Sequence, residues 1–187
     1  MELRGGIRPG GRSARVQASV HAAVGRLLAR ETRASITIPM IAAEAGVTPS
    51  TIYRRWGELQ ELLSDVAVER FRADTPPADT GSGRGDLEAW AEQYVEEMGS
   101  APGLAMIRDI IAAQSGSGNA TRCCTITRAQ IEEIGARASA RGERFPDTDA
   151  VIDGVVGPIM YRILFWESPD AEYGRGLVAR LYAGEAG

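Results

Sequence analysis

The sequence predicts an all-α protein in which a small helical head precedes a larger helical bundle. Apolar residues recur at helical spacing through most of the 187 residues. Segments rich in glycine, proline and serine separate these apolar stretches. No part of the sequence shows the strict apolar–polar alternation that marks a half-buried strand. With 44% hydrophobic and 25% charged residues, the composition is that of an ordinary globular protein.

The chain begins with a Gly- and Arg-rich stretch, residues 1–12, which has no apolar period, and we expect it to form a flexible basic arm. The arm lacks the apolar segment of a secretory signal, which predicts a cytoplasmic location. A helix of about eighteen residues is expected from Ser13, a suitable N-cap. Its inward-facing stripe consists of Val16, Val20, Ala23, Val24, Leu27 and Leu28.

Two short helices with a tight turn between them are predicted next. Thr37 can cap the first helix, whose first turn also contains a proline. Gly46 ends this helix, because glycine adopts a left-handed backbone at little cost. Thr48 and Pro49 then begin the second helix. This pattern predicts a helix-turn-helix, a motif whose second helix enters the major groove of DNA.

The remainder of the chain is predicted to be helical as well. A connecting helix over residues 58–73 leads to a linker over residues 74–86, where proline, glycine, serine and threonine are frequent. We therefore expect a helix-turn-helix domain over residues 13–57 and a second domain over residues 87–187. Helical patterns in this second part cover residues 86–99, 102–114, 120–141, 148–167 and 170–183.

The charge is distributed unevenly along the chain. Residues 1–57 hold nine arginines and three acidic residues, whereas the rest holds twelve arginines and 22 acidic residues. A basic head suits a polyanion, and an acidic body repels one. The distribution therefore favours a nucleic-acid-binding head, although the whole chain carries a net charge of −4.

The sequence offers little for catalysis. His21 is the only histidine, and the adjacent Cys123 and Cys124 are the only cysteines. Metal clusters, nucleophile–base pairs, phosphate-binding loops and dinucleotide fingerprints are all missing from the sequence. We predict no enzymatic activity, no metal and no cofactor. No apolar run approaches the length of a membrane span.

The run ITIPMIAAEAGVTPSTIYRRWGELQELL resembles the DNA-binding signature of the TetR family. The matching features are the Ala-Gly-Val turn at residues 45–47, the threonine cap, the Ile-Tyr pair at residues 52–53, Trp56 and the Leu-Leu pair at residues 62–63. A second stretch, VIDGVVGPIMYRILFWESP, is similar to a helix of one TetR C-terminal subfamily. The resemblance implies a transcriptional repressor that binds a palindromic operator as a homodimer and responds to a ligand.

The resemblance also implies a set of DNA contacts around the second short helix. Tyr53 would give its hydroxyl to a phosphate, and Arg54 or Arg55 could bond a guanine. Ile52 and Trp56 would point into the core of the head. The residues expected near the groove or the phosphates are Thr37, Thr48, Pro49, Ser50, Thr51, Tyr53, Arg54 and Arg55, and Arg8 and Arg12 of the arm are candidates for the minor groove.

One position departs from the family pattern. Members of the family usually carry a lysine at the start of the fourth helix, where this chain has Leu59. Either the arginines of the arm replace that phosphate contact, or the affinity for DNA is lower. Two alternatives stay open: a helical interaction module that no longer reads DNA, and a redox-responsive regulator that uses Cys123 and Cys124 instead of a small-molecule inducer.

In the C-terminal half, the resemblance implies a ligand cavity and a dimer interface. The cavity candidates are Trp90, Tyr94, Met98, Met106, Ile110, Gln114, Thr127, Ile131, Tyr161 and Phe165. The interface candidates, all apolar and on the last two helices, are Ile152, Val155, Val156, Ile159, Ile163, Leu177, Val178 and Leu181. The predicted partners are operator DNA, a second copy of the chain and a small-molecule effector. We do not expect the protein to bind a membrane.

Overall fold

The computed structural model describes residues 11–71, 76–113 and 118–184, and every regular element within these ranges is helical, which confirms the all-α prediction. The predicted arm, up to residue 10, lies outside the described residues. The elements in chain order are α1 (Gly11–Leu28), α2 (Ile38–Ala45), α3 (Pro49–Trp56), α4 (Leu59–Phe71), α5 (Gly83–Gly99), α6 (Ala101–Ala112), α7 (Asn119–Ala140), α8 (Thr148–Val151), α9 (Gly157–Phe165) and α10 (Ala171–Gly184).

The head consists of α1, α2, α3 and the first part of α4, packed around one apolar core. Helix α1 begins before Ser13, and its predicted stripe lies in or against that core. The apolar side chains of this core, each with less than a tenth of its surface exposed, are Val20, Ala23, Val24, Leu27, Ile36, Ile38, Ile41, Ala42, Ile52, Trp56, Leu62, Leu63 and Val66. Ile52 and Trp56 therefore point inward, as expected.

The turn between α2 and α3 follows local signals. The Thr37 side chain accepts a hydrogen bond from the Met40 amide at 3.4 Å and caps α2. Gly46 adopts φ +68° and ends α2, a conformation that would strain any residue with a Cβ. The Val47 amide donates to the Ala42 carbonyl at 3.0 Å, which closes the turn. These bonds fix where α3 begins.

The chain divides into two compact units between Val66 and Ala67, within α4. The expected boundary at residues 74–86 therefore differs from the observed division. The reason lies in packing, because α4 contributes Leu62, Leu63 and Val66 to the core of the head and Ala67 to the core of the second unit. A single helix thus belongs to both units.

The second unit, called the body below, has its own apolar core built from α5, α6, α7, α9 and α10. Helix α5 packs along α10, where Gly174 allows a close approach: a Cβ there would lie 3.1 Å from the Ala91 carbonyl oxygen. None of the helices in the described ranges is long and apolar enough to cross a membrane.

Residues 76–82, part of the predicted linker, are held against the body. Asp86 is fully buried and accepts hydrogen bonds from the Thr80 amide at 2.6 Å and the Thr80 hydroxyl at 2.8 Å. Arg141 at the end of α7 donates to the same carboxylate at 3.0 Å. Arg137 donates to the Pro77 carbonyl at 2.9 Å. These bonds give the segment a fixed path.

The predicted helix over residues 148–167 ends at Phe165 and contains a wider turn. Residues Ile152–Val156 form a π-helical turn between α8 and α9, and the Gly157 amide donates to the Ile152 carbonyl. Pro158 explains the change in helical period. Proline has no N–H to donate, and its ring crowds the carbonyl of the residue four positions earlier.

Candidate nucleic-acid interface

Helix α3 presents one polar face to solvent and anchors the other in the core. Ser50, Tyr53 and Arg54 are exposed, with 51% of the Tyr53 surface accessible. Ile52 is fully buried and Trp56 nearly so. The side chains expected to meet bases therefore point outward from a helix whose opposite face is fixed.

A cluster of hydroxyl groups lies at the start of α3. The Thr48 hydroxyl lies 2.9 Å from the Ser50 hydroxyl and 2.9 Å from the Thr51 hydroxyl. Thr48 has the extended backbone of an N-cap, but its side chain makes no capping bond because it engages these neighbours. Thr48 is therefore the N-cap residue, as predicted, but through its backbone conformation alone. Exposed Thr48, Pro49 and Ser50 and half-buried Thr51 instead form a polar rim at the helix end.

Thr37 lies at the corresponding end of α2 and is exposed. Its oxygen accepts the capping bond from Met40, and this leaves the hydroxyl hydrogen for an outside acceptor. The two threonine-bearing helix ends supply donors of the kind that bind phosphate oxygens.

The two arginines of α3 have different surroundings. Arg55 donates to the Ser13 carbonyl at 3.0 Å, to the Ser13 hydroxyl at 2.7 Å and to the Gln17 side-chain oxygen. Arg54 makes no hydrogen bond or ion pair within the part of the chain that the structure describes. Both line a shallow groove between α1 and α3, together with Val16 and Thr51. Arg54 is therefore available to DNA, whereas Arg55 ties α3 to α1.

A buried carboxylate, which the sequence analysis did not single out, joins three elements of the head. Asp65 of α4 is 8% exposed and accepts hydrogen bonds from the Trp56 indole at 2.8 Å and the Gln17 amide at 3.3 Å. Its Oδ2 also lies 3.0 Å from His21 Nε2. His21 is a half-buried neighbour of this carboxylate.

Part of the basic charge of the head is used internally. Arg26 of α1 and Arg30, in the turn after α1, bond the two oxygens of Glu44 of α2 at 2.6 and 2.5 Å. The hydrogen bonds from Arg26 and then Arg30 hold the pKa of the Glu44 carboxyl below its usual value. These arginines brace α2 against α1. Arg8 and the side chain of Arg12 lie outside the described residues.

Leu59, the departure from the family pattern, is half-buried and packs against the core of the head. An apolar side chain in this place offers no charge to a phosphate. The packing gives a structural reason for leucine here.

Most of the cavity candidates come together in the core of the body. Trp90 and Tyr94 stack with ring centroids 5.0 Å apart, and the Trp90 indole donates to the Gln130 side chain at 3.0 Å. The Tyr94 hydroxyl hydrogen-bonds to Thr127, and burial raises the pKa of Tyr94. Met98, Met106 and Ile131 are buried in the same core, Thr127 is buried beside Tyr94, and Ile110 packs against the core half-buried. Gln114 lies outside the described residues.

Two cavity candidates are placed differently from expectation. Tyr161 is 59% and Phe165 75% exposed, because Ile159 and Ile163 occupy the inward face of α9. With Leu164 and Trp166, these two aromatic residues make an apolar surface, called the α9 face below. The Tyr161 and Phe165 rings are 5.5 Å apart.

The interface candidates also differ from expectation, because they serve the core of their own chain. Val155, Ile159 and Val178 have no exposed surface, and Ile163 and Leu177 retain 7% and 6%. Such residues have almost no surface to offer a second chain. The half-buried candidates, Ile152, Val156 and Leu181, pack against the same core.

The adjacent cysteines are free thiols with different exposure. Cys124 is exposed, and Cys123 is half-buried. Burial, followed by the neighbouring Cys124 thiol, raises the pKa of Cys123 to about 11. A redox-sensing thiol needs the opposite shift, because the thiolate is the reactive form. Groups of three or more His, Cys, Asp or Glu side chains able to hold a metal are not found among the described residues.

An outward-facing polar helix on a helix-turn-helix head, followed by an acidic helical body, defines a DNA-binding regulator of the helix-turn-helix class. Residues 77–181 match the family described as "Tetracyclin repressor-like, C-terminal domain". The chain therefore belongs to the TetR family of transcriptional regulators, and the resemblance drawn from the helix-turn-helix is confirmed.

Individual relatives support the same assignment. The chain is 35% identical over 115 residues to the HTH-type transcriptional regulator AqdR of Rhodococcus erythropolis, a match that covers 59% of this chain and 55% of that regulator, about half its length. It is 27% identical over 158 residues to the uncharacterized HTH-type transcriptional regulator YdeS of Bacillus subtilis, covering 80% and 79%. The crystal structure of the TetR family transcription regulator SCO0332 superposes with a TM-score of 0.71 at 29% identity, covering 90% and 97%.

Proposed function

We propose that this protein is a ligand-responsive repressor that binds a palindromic operator as a homodimer. The observation that carries the proposal is the face of α3, where Ser50, Tyr53 and Arg54 are exposed while Ile52 and Trp56 fix the opposite side. A protein that reads DNA acts where the chromosome is, so we also propose a cytoplasmic location. We further propose that the protein has no catalytic activity.

In the proposed complex, α3 lies in the major groove. Arg54 bonds a guanine edge, and Pro49 and Ser50 lie beside the bases at the start of the helix. Tyr53 donates its hydroxyl to a phosphate. The remaining phosphate contacts come from the helix-end hydroxyls of Thr37, Thr48 and Thr51. The arm arginines, Arg8 and Arg12, complete the set in the minor groove.

Arg55 takes a different role from the one expected. Its guanidinium is engaged by Ser13 and Gln17, so a phosphate would have to compete with these acceptors. We propose that Arg55 holds α3 against α1 and approaches the DNA backbone only from that fixed position.

We propose the α9 face as the centre of the homodimer interface. Large exposed apolar patches mark interaction surfaces, and Tyr161, Phe165 and Trp166 are each more than half exposed. Arg162 lies 4.2 Å above the Tyr173 ring of α10 and 5.6 Å above the Trp166 ring, which links α10 to this face. A two-fold pair would use the same face on both copies.

The proposed dimer dictates the form of the operator. Two recognition helices that enter successive major grooves are about 34–36 Å apart, so the half-sites repeat every 10–10.5 base pairs in inverted orientation. A small, largely apolar molecule that binds among Trp90, Tyr94 and Thr127 would favour a state with a different spacing. The molecule can weaken DNA binding only to the extent that it binds the second state more tightly than the DNA-binding state.

The test is selection of duplexes from a randomised pool by the purified protein, followed by fluorescence anisotropy on the selected duplex and a scrambled one. We expect an inverted repeat, and an affinity that falls steeply with salt because phosphate neutralisation releases counterions. Arg54→Ala should relax the preference at one position in each half-site. Arg15→Ala, which changes an exposed arginine of α1, is the matched control. Selection that yields no preferred sequence would refute the proposal.

A further inference from the structure

Asp65 is a buried carboxylate at the point where α4 leaves the head. It is 8% exposed, and the next residue, Val66, is the last of the first compact unit. Its Oδ2 is shared by the Trp56 indole, the Gln17 amide and His21 Nε2, at 2.8, 3.3 and 3.0 Å. These partners lie on α3 and α1, so one side chain of α4 joins three helices.

Because Asp65 is buried, its hydrogen-bond donors must lie at defined positions around the carboxylate. An ionised carboxylate that leaves water needs several donors, because each unsatisfied position has a large desolvation cost. Hydrogen bonds to a charged acceptor are also stronger than those between neutral groups. The donors on α1 and α3 are consequently held at defined positions relative to α4.

The bonds continue from Asp65 to the DNA-facing side of α3. Gln17 donates to Asp65 through its amide and accepts from Arg55 through its oxygen. Arg55 donates in turn to the backbone and hydroxyl of Ser13. Trp56, the last residue of α3, bonds Asp65 directly. The C-terminal end of α3 is therefore held on its buried side by Trp56 and on its exposed side by Arg55.

We infer that Asp65 is a positioning residue for sequence recognition: it sets the orientation of α3, and with it the placement of Arg54, without touching DNA itself. This inference rests on the proposed function. Phosphate contacts tolerate small changes in helix orientation, whereas paired bonds to a base edge do not. Loss of the Asp65 bonds should therefore reduce discrimination between sequences more than it reduces general affinity for DNA.

The test compares Asp65→Asn with the parent protein on the selected operator and on a scrambled duplex of equal length and salt. Asparagine keeps the shape but offers one oxygen and no charge to the donors. We expect the ratio of specific to non-specific affinity to fall about tenfold or more, with non-specific affinity changed by less than about twofold. Trp56→Phe, which removes the indole donor together with part of the buried ring, should act in the same direction. Ser64→Ala is the matched control, because Ser64 is the buried neighbour on α4 and its hydroxyl has no hydrogen-bond partner among the described residues.

A second measurement reports on the loss of the Asp65–Trp56 bond without DNA. The indole N–H resonance of Trp56 should shift in Asp65→Asn, while those of Trp90 and Trp166 in the body stay in place. An unchanged Trp90 resonance shows that the body is folded, and helical circular dichroism equal to that of the parent shows that the head is folded too. A role limited to stability would lower the unfolding temperature and leave the affinity ratio of the folded protein unchanged.

The outcomes separate the two claims. If the parent itself has no sequence preference, the proposed function fails. If the parent discriminates and folded Asp65→Asn discriminates equally well, the positioning inference is overturned. If Asp65→Asn does not fold, Trp56→Phe and Gln17→Ala are tested instead. If both variants keep the parent's ratio of specific to non-specific affinity, the inference is overturned.

Discussion

The α9 face gives a quantitative prediction for dimerisation. Phe165 is 75% exposed, and an aromatic side chain presents about 150–250 Å² when fully accessible, so roughly 150 Å² of Phe165 faces solvent. If a partner covers half of that area, burial at about 25 cal/mol per Å² contributes about 2 kcal/mol per copy. A two-fold interface contains the residue twice, which makes about 4 kcal/mol. Phe165→Ala should therefore raise the dimer Kd about a thousandfold.

Sedimentation equilibrium over a range of protein concentrations measures this Kd. Ile111→Ala is the matched control, because Ile111 is an exposed apolar residue of α6, 65% accessible and outside the α9 face. It should leave the dimer Kd within about twofold, since isolated exposed apolar residues are normal on protein surfaces. A Phe165→Ala protein that dimerises as tightly as the parent would refute the placement of the interface on α9.

Two further predictions concern the helix-turn-helix and the body. Arg55→Ala should lower the ratio of specific to non-specific affinity and the unfolding temperature of the head, because it removes the bonds that hold α3 to Ser13 and Gln17; anisotropy and calorimetry check this, and an Arg55→Ala protein with the parental ratio and unfolding temperature would contradict it. Burial alone raises the pKa of Asp86, but hydrogen bonds from Thr80 and Arg141 outweigh it and hold the pKa below its usual value. Ionised Asp86 therefore stabilises the folded protein fully above the pKa of Asp86 in the unfolded chain, about 4. This stabilisation is lost as the pH falls through the lower pKa of Asp86 in the folded protein. Denaturant titrations should show the parent losing stability below about pH 4 and Asp86→Asn losing less over the same range, and equal losses would contradict the reasoning.

Local signals made the helix-turn-helix predictable. Thr37 caps α2 and Gly46 ends it through contacts within a few residues of their own positions, so both roles can be predicted from the local sequence. The role of Thr48 was only half predictable, since its backbone takes the N-cap conformation while its hydroxyl bonds Ser50 and Thr51. A hydroxyl with several near-equivalent partners is not assigned by spacing alone.

Long-range contacts were not predictable in the same way. Arg55 bonds residues 42 and 38 positions earlier, and no local pattern marks such a pair. Asp65 looks like part of a solvated helix face in the sequence, yet it is 8% exposed because α1 and α3 cover it. On α9, apolar residues occur on both faces, and periodicity does not say which face meets the core of the same chain and which stays exposed.

The sharing of α4 between two cores has a consequence for the folding of the protein. Helix α4 has thirteen residues, and a cut after Val66 would leave it with eight, a length at which an isolated helix is marginal in water. Such a cut would remove the five residues 67–71, which complete the length of the helix that packs on the core of the head. An isolated head that keeps the whole of α4 should therefore unfold at a higher temperature than one cut after Val66, and circular dichroism of the two fragments would measure the difference.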